Sequence, residues 1–277
     1  MAKLISGLHL ATLAAGLTLQ VFPALADLAA GLKAYDRQDY PTALKELLPA
    51  AQAGNTDAQC RVGFIYCQGK PNYEEALKWF RLAAQKGHAN AQYDLGQMYT
   101  LGQGAPHNDA EAVKWYRLAA AQGYPDAQAR LAVAYDEGAG VAKDPEQAAK
   151  YFRLAATNPH PWQGRAVAQF SLGAMYHEGN GVAKDAAEAA KWFELAADRG
   201  YPEAQFNLGF MYGTGEGVPQ DDVRAYFWVS LALKFAPSPS EVAESARKNR
   251  NDVAKKMSLV QLSEAERMVR NWKPKAN

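Results

Sequence analysis

Small and large apolar residues recur along this chain at helical spacing. In the stretch from 166 to 201, Ala168, Leu172, Gly173 and Tyr176 fall at offsets 0, 4, 5 and 8, one face of a helix predicted over 166–178. Alanine and glycine on that face let a neighbouring helix come close. Gly179-Asn180-Gly181-Val182 breaks the pattern, because glycine supplies the left-handed residue that ends a helix. Asp185, with Glu188 three residues on, has the spacing of a capped helix start. Ala189, Trp192, Leu195 and Ala196 are then predicted to share one face of a second helix, ended by Gly200.

This helix pair is written five times. Copies open at Ala58-Gln59, Ala91-Gln92, Ala127-Gln128, Ala168-Gln169 and Ala204-Gln205, and carry Tyr66, Tyr99, Tyr135, Tyr176 and Tyr212 eight residues after the alanine. The steps between successive tyrosines are 33, 36, 41 and 36 residues (99−66, 135−99, 176−135, 212−176). The second helix starts at Asn72, Asn108, Asp144, Asp185 or Asp221 and carries Trp79, Trp115, Tyr151, Trp192 or Trp228 seven residues later. That ring is expected to fill the space between the two helices. A Leu-Ala pair follows at Leu82, Leu118, Leu154, Leu195 and Leu231. The first copy shortens its loop to Gln68-Gly69-Lys70-Pro71, and the third extends its end by Asn158-Pro159-His160-Pro161-Trp162-Gln163-Gly164. A fixed period of this length predicts stacked units with nearest-neighbour packing, not one globular core.

The strings A-x-x-x-L-G-x-x-Y-x-x-G-x-G-V and D-x-x-x-A-x-x-W-x-x-x-A-A-x-x-G resemble the Sel-1-like repeat, a relative of the tetratricopeptide repeat. The resemblance covers roughly residues 56 to 237, and departs from the pattern at Ala105 and Ala132. It implies an all-α, right-handed α-solenoid of antiparallel helix pairs. The expected copies are 56–88, 89–124, 125–165, 166–201 and 202–237. Residues 27–55 read as a degenerate leading pair, with Leu32, Tyr35, Ala43, Leu47 and Ala50-Ala51 apolar. Residues 238–277 read as capping helices: a charged one over 241–257, and a last one opened by Ser263 and Glu266 and running to about Trp272.

Residues 1–26 read as a cleavable signal peptide. Lys3 precedes an apolar run from Leu4 to Val21, and Ala24-Leu25-Ala26 offers an Ala-x-Ala site before Asp27. That places the mature chain in the periplasm or outside the cell. Whole, the chain has 30 Lys and Arg against 29 Asp and Glu; without Lys3 the balance is zero, which gives nucleic acid no electrostatic footing. Cys60 and Cys67 lie seven apart on one predicted helix, about 10 Å by helical rise. A disulfide needs less than about 7 Å between Cα atoms, so both read as free thiols.

Candidate chemistry is sparse. The Gly-x-Gly loops follow no predicted strand, so they lack the context of a phosphate cradle. Ser245 and Lys248 match S-x-x-K, the acylation motif of penicillin-binding enzymes, and some proteins of this family have been described as penicillin-binding. No S-D-N or K-T-G partner motif accompanies it. His9, His88, His107, His160 and His177 form no ligand pair, and no catalytic, cofactor or metal residue is nominated.

Positions identical in every copy serve packing, which all copies share. Positions that vary on the opposite face of the first helix are free to recognise a partner. At offsets 3, 6 and 10 they are Arg61, Phe64, Gln68; Asp94, Gln97, Leu101; Arg130, Val133, Glu137; Ser171, Ala174, Glu178; and Asn207, Phe210, Thr214. The expectation is a non-enzymatic, exported monomer that binds a protein or peptide in a concave groove, with Phe64 and Phe210 as apolar anchors. The alternatives are an envelope enzyme acting on β-lactams or peptidoglycan, and a virulence factor bound to a host protein.

Overall fold

A computed structural model describes residues 21–275 of the protein. The signal-peptide positions before 21 lie outside the described residues. The described residues form fourteen α-helices and no strand. A leading pair, α1 (Val21–Asp36) and α2 (Tyr40–Gln52), precedes five pairs. These are α3 (Thr56–Tyr66) with α4 (Tyr73–Gln85), α5 (Ala89–Leu101) with α6 (Asp109–Ala121), and α7 (Pro125–Glu137) with α8 (Pro145–Ala156). They continue with α9 (Arg165–Glu178) and α10 (Ala186–Asp198), then α11 (Pro202–Thr214) and α12 (Asp222–Phe235). Two terminal helices follow, α13 (Glu241–Ala254) and α14 (Leu259–Asn271). Within each of the chain's two compact units the helices pack chiefly on their neighbours in sequence, as in other repeat arrays.

By packing the chain divides into two compact units, with the division between Ala119 and Ala120 in sequence. In the first, Leu47, Val62 and Ile65 centre a cluster built by α1–α3, and Phe80, Leu95 and Met98 centre another built by α3–α5. In the second, Phe152, Leu172 and Trp162 centre one cluster, and Phe193, Leu208, Met211 and Trp228 centre another.

The helix boundaries have local causes. The side chains of Asn72, Asn108, Asp144, Asp185 and Asp221 each accept a hydrogen bond from the backbone amide three residues on, at 2.9–3.2 Å. The reciprocal half of the box is absent at Asp185, because the Glu188 carboxylate instead accepts from Lys191 (2.8 Å) and from the Trp192 indole (3.1 Å). The second glycine of the loop is fixed by a close approach. A Cβ on Gly181 would stand 2.1 Å from the Pro145 carbonyl oxygen, and one on Gly217 2.3 Å from that of Ala186. Each loop thus seats directly on the first turn of the preceding pair's second helix.

Three expectations are corrected. In the first four copies the ring filling the slot inside a pair is the residue after the tryptophan or tyrosine, while in the fifth Val229 takes the slot against Gly209 and Trp228 is itself buried. Phe80, Tyr116, Phe152 and Phe193 are buried, whereas Trp79, Trp115, Tyr151 and Trp192 are half-buried. Phe193 lies so close to Gly173 that a Cβ there would meet it at 2.8 Å, and Phe80 stands over Gly63 in the same way. The reason is rotation: Ala189, Phe193, Ala196 and Ala197 face α9, and Trp192, about 100° round the helix, packs on the cluster of the preceding pair. The leucine of the Leu-Ala pair likewise belongs to the outer face. Leu82, Leu118, Leu154 and Leu195 are 41–49% exposed, while Leu231 is fully buried in the cluster that Val253 of α13 and Ala265 of α14 join. Finally, α14 starts earlier than Ser263. Ser258 and Gln261 form the capping box, and the earlier start brings Leu262 onto the core with Ala265, Met268 and Val269.

Candidate partner-binding surface

The repeated Ala-Gln couple has a structural task. Gln59, Gln92, Gln128, Gln169 and Gln205 are all buried. Each side-chain amide donates to a carbonyl at the C-terminal end of the preceding pair's second helix: Ala51, Ala84, Ala120, Ala156 and Ala197, at 2.9–3.5 Å. The carbonyls of Ala51, Ala84, Ala120 and Ala197 also accept the amide of the glycine that closes each helix, at 2.9–3.0 Å, so the glutamine supplies the bond that comes from the next pair. The glutamine therefore fastens one pair to the next. The invariance of Gln across all five copies was the signal for this role.

With the alanine, glutamine, leucine and glycine side of each first helix buried, the varying positions lie on what remains. In the first unit most are tied to neighbours. The Arg61 guanidinium stacks 4.7 Å from the Tyr35 ring centroid and stands 4.0 Å from Asp36. The Phe64 ring, 37% exposed, meets Tyr35 and Tyr40 edge-on at 5.6 and 6.4 Å. Asp94 accepts the Cys60 thiol at 3.9 Å, and the Gln97 amide donates to the Tyr93 hydroxyl at 2.5 Å. Gln68 is half-buried, and Leu101 is 64% exposed.

In the second unit the same positions are more open. Arg130, Val133, Glu137 and Glu178 are exposed, and Ser171 and Ala174 half-buried. Asn207 and Phe210 line a pocket of about 320 Å³ together with His177, Phe193, Phe206 and Met211. Phe193 and Met211 are buried and form its floor, while Phe210 is 44% exposed. His177 stands 3.3 Å from Glu216, which holds the imidazole at the rim. An apolar floor with a few polar groups at the mouth suits insertion of one apolar side chain. The three chosen offsets missed Phe206 and His177, which flank those offsets on α11 and α9. A second hollow, lined by Leu259, Val260, Ser263, Glu264 and Arg267 on α14, is larger at about 530 Å³ but lies open to solvent.

Both cysteines are free. Burial, aided by the Asp94 charge, pushes the Cys60 thiol up to about 12 and the Cys67 thiol up to about 11. Neither is therefore a thiolate at neutral pH, the form a nucleophile requires. Ser245 is half-buried on α13 and Lys248 is exposed, with no hydrogen bond between them among the described residues. His88 caps α5, accepting from the Ala91 amide at 3.2 Å while its other nitrogen meets Asp57 at 2.9 Å. No group of three metal-binding side chains occurs among the described residues, and none of their helices is long and apolar enough to cross a membrane.

The Sel1 repeat signature matches residues 56–88, 89–124, 125–160, 166–201 and 202–234. Among solved structures, a protective antigen present in uropathogenic Escherichia coli strains, described as displaying an SLR fold, is 32% identical, with a TM-score of 0.76. The match covers 92% of this chain and 54% of that one, so the chain spans about half the length of this relative. A Sel1 repeat protein from Oxalobacter formigenes is 30% identical over 83% of this chain and 100% of its own, with a TM-score of 0.71. No functionally curated protein matches. Five copies of the signature, and two solved relatives of the same fold, make the chain a member of the Sel1 repeat family.

Proposed function

We propose that the protein is a non-enzymatic scaffold, exported to the bacterial periplasm or beyond, that holds a protein or peptide against the exposed faces of its first-of-pair helices. Sel1 repeats mediate protein–protein interaction. The observation that carries the reading further is the pocket at His177, Phe206, Asn207 and Phe210. It joins a half-exposed aromatic anchor to a buried apolar floor and to two polar side chains at its mouth, the composition of an interaction hot spot. Likeness to a relative described as a protective antigen supports placement outside the cytoplasm. The Ala24-Leu25-Ala26 site supplies the means of export.

Site-directed photocrosslinking in the producing cells tests this. A photoreactive residue at position 210 should capture a discrete protein species. The same residue at 154 should not, although Leu154 is as exposed (42%) as Phe210 (44%). Equal capture at both positions, or at neither, would contradict the reading.

A further inference from the structure

The segment Asn158–Gly164, which the third copy alone contains, folds into the second unit as an ordered plug. Trp162 is buried and donates its indole N–H to the Ala155 carbonyl at 3.1 Å, and Asn158 donates to the Gly123 carbonyl at 2.9 Å. The plug holds Arg165 in place, because Nη2 of Arg165 donates to the carbonyls of Asn158 (2.7 Å) and His160 (2.5 Å). One turn further along α9, the Gln169 side-chain oxygen accepts from Nη1 of Arg199 at 3.4 Å, and Arg199 also donates to the Leu195 carbonyl at 2.9 Å. Two guanidinium groups therefore sit over the same edge of α9.

Their surroundings do not balance them. The Lys275 amide and ammonium bind the Asp198 carbonyl and carboxylate at 2.7 and 2.5 Å, which adds a third positive charge beside Arg199 and occupies the nearest carboxylate. Glu194, the other nearby acid, is exposed and also faces Arg224. Neither Arg165 nor Arg199 has a carboxylate within ion-pair distance among the described residues. The Nε atoms of both are buried without an acceptor. Burial first, and then the Arg165 charge, lower the pKa of Arg199, against the opposing charge of Asp198. Buried donors of charged groups almost always have a partner in folded proteins.

We propose that Arg165, Arg199 and Lys275 form a binding site for a divalent oxyanion of the phosphate type. Guanidinium forks match the spacing of phosphate oxygens, and a dianion offsets both arginine charges at once, which a monovalent carboxylate does not. The site lies on the edge built by the plug and the end of α10, apart from the pocket at Phe210. It does not depend on the partner reading. The ligand is either free phosphate or the phosphomonoester group of a larger molecule.

Isothermal titration of the full chain at constant ionic strength, with inorganic phosphate, O-phosphoethanolamine and acetate, tests the site. Phosphate should bind saturably and acetate should not. Binding should weaken at least tenfold in Arg199→Gln and in Arg165→Gln, and stay unchanged in Arg37→Gln, where the arginine is exposed and belongs to the first unit. Tighter binding of phosphoethanolamine assigns the site to a phosphomonoester, and equal or weaker binding assigns it to free phosphate. Circular dichroism of each variant shows whether it is folded. If Arg165→Gln unfolds, Arg199→Lys, which keeps the charge and loses the fork, should still weaken phosphate binding. Heat indistinguishable from that of a chloride control, or binding unchanged in the folded variants, overturns the proposal.

Discussion

At the scale of single residues, the side chains that repeat carry the cohesion of the array. The buried glutamines are the clearest case. Gln205 is wholly buried and donates to the Ala197 carbonyl, which also accepts the Gly200 amide at 2.9 Å, so Gln205→Ala removes the one hydrogen bond to it that comes from the next pair. Losing one such bond costs about 0.5–1.5 kcal/mol, to be read as a lower urea midpoint. Gly181→Ala should destabilise by a comparable amount, because the new methyl would meet backbone, which cannot move aside, and φ at this position is +69°. The thiols give a signed pH dependence. Cys60 is pushed up to about 12 from a usual value of 9.0, so the folded state holds this proton more tightly than the unfolded chain. The stabilisation is complete below about pH 9 and is lost as pH rises towards 12. Tyr35, pushed up to about 12 by its burial, acts in the same direction. Urea titrations across this range should show stability falling with pH, with a shallower fall in Cys60→Ala. A flat profile would contradict the burial of these groups.

At the scale of elements, sequence spacing was sufficient to place the helices and second-helix caps of the five repeats. The cap residues, the loop glycines and the stripe of small residues each act through their immediate neighbours. What spacing left open was rotation about the second-helix axis. A tryptophan and a phenylalanine in adjacent positions are both large and apolar, and only packing against Gly173 selects Phe193 for the slot inside the pair. The terminal helix shows the same limit. Ser258 with Gln261 and Ser263 with Glu266 have identical spacing, and the choice between them rests on which start buries Leu262. The candidate site was legible in part: Asn207 and Phe210 were marked by variation between copies, whereas the floor of their pocket belongs to packing residues that variation conceals. The third copy's insertion read as a lengthened end, yet Trp162 makes it part of the core. Trp162→Ala should therefore cost about 3–5 kcal/mol, typical of removing a buried ring, whereas a loop residue would cost almost nothing.

At the scale of the whole molecule, stability is divided among local clusters. Phe193→Ala removes a ring from the cluster that also holds Leu208 and Met211. Hydrogen exchange should then show amides of α9–α12 losing protection while those of α2–α4 keep theirs, as expected where each helix pair contacts only its neighbours. Uniform loss along the chain would show a single cooperative core instead. The division also bears on recognition. In the first unit Arg61, Phe64, Asp94 and Gln97 engage residues of their own unit, whereas the second unit keeps an open pocket beside Phe210. A partner should accordingly depend more on the second unit. The most direct measurement is the affinity of the species crosslinked at position 210 for three purified variants: Phe210→Ala, Phe64→Ala and Leu154→Ala. The expected result is at least a tenfold loss for Phe210→Ala, a smaller loss for Phe64→Ala and no change for Leu154→Ala. Unchanged affinity in a folded Phe210→Ala variant would contradict the assignment of this face as the binding surface.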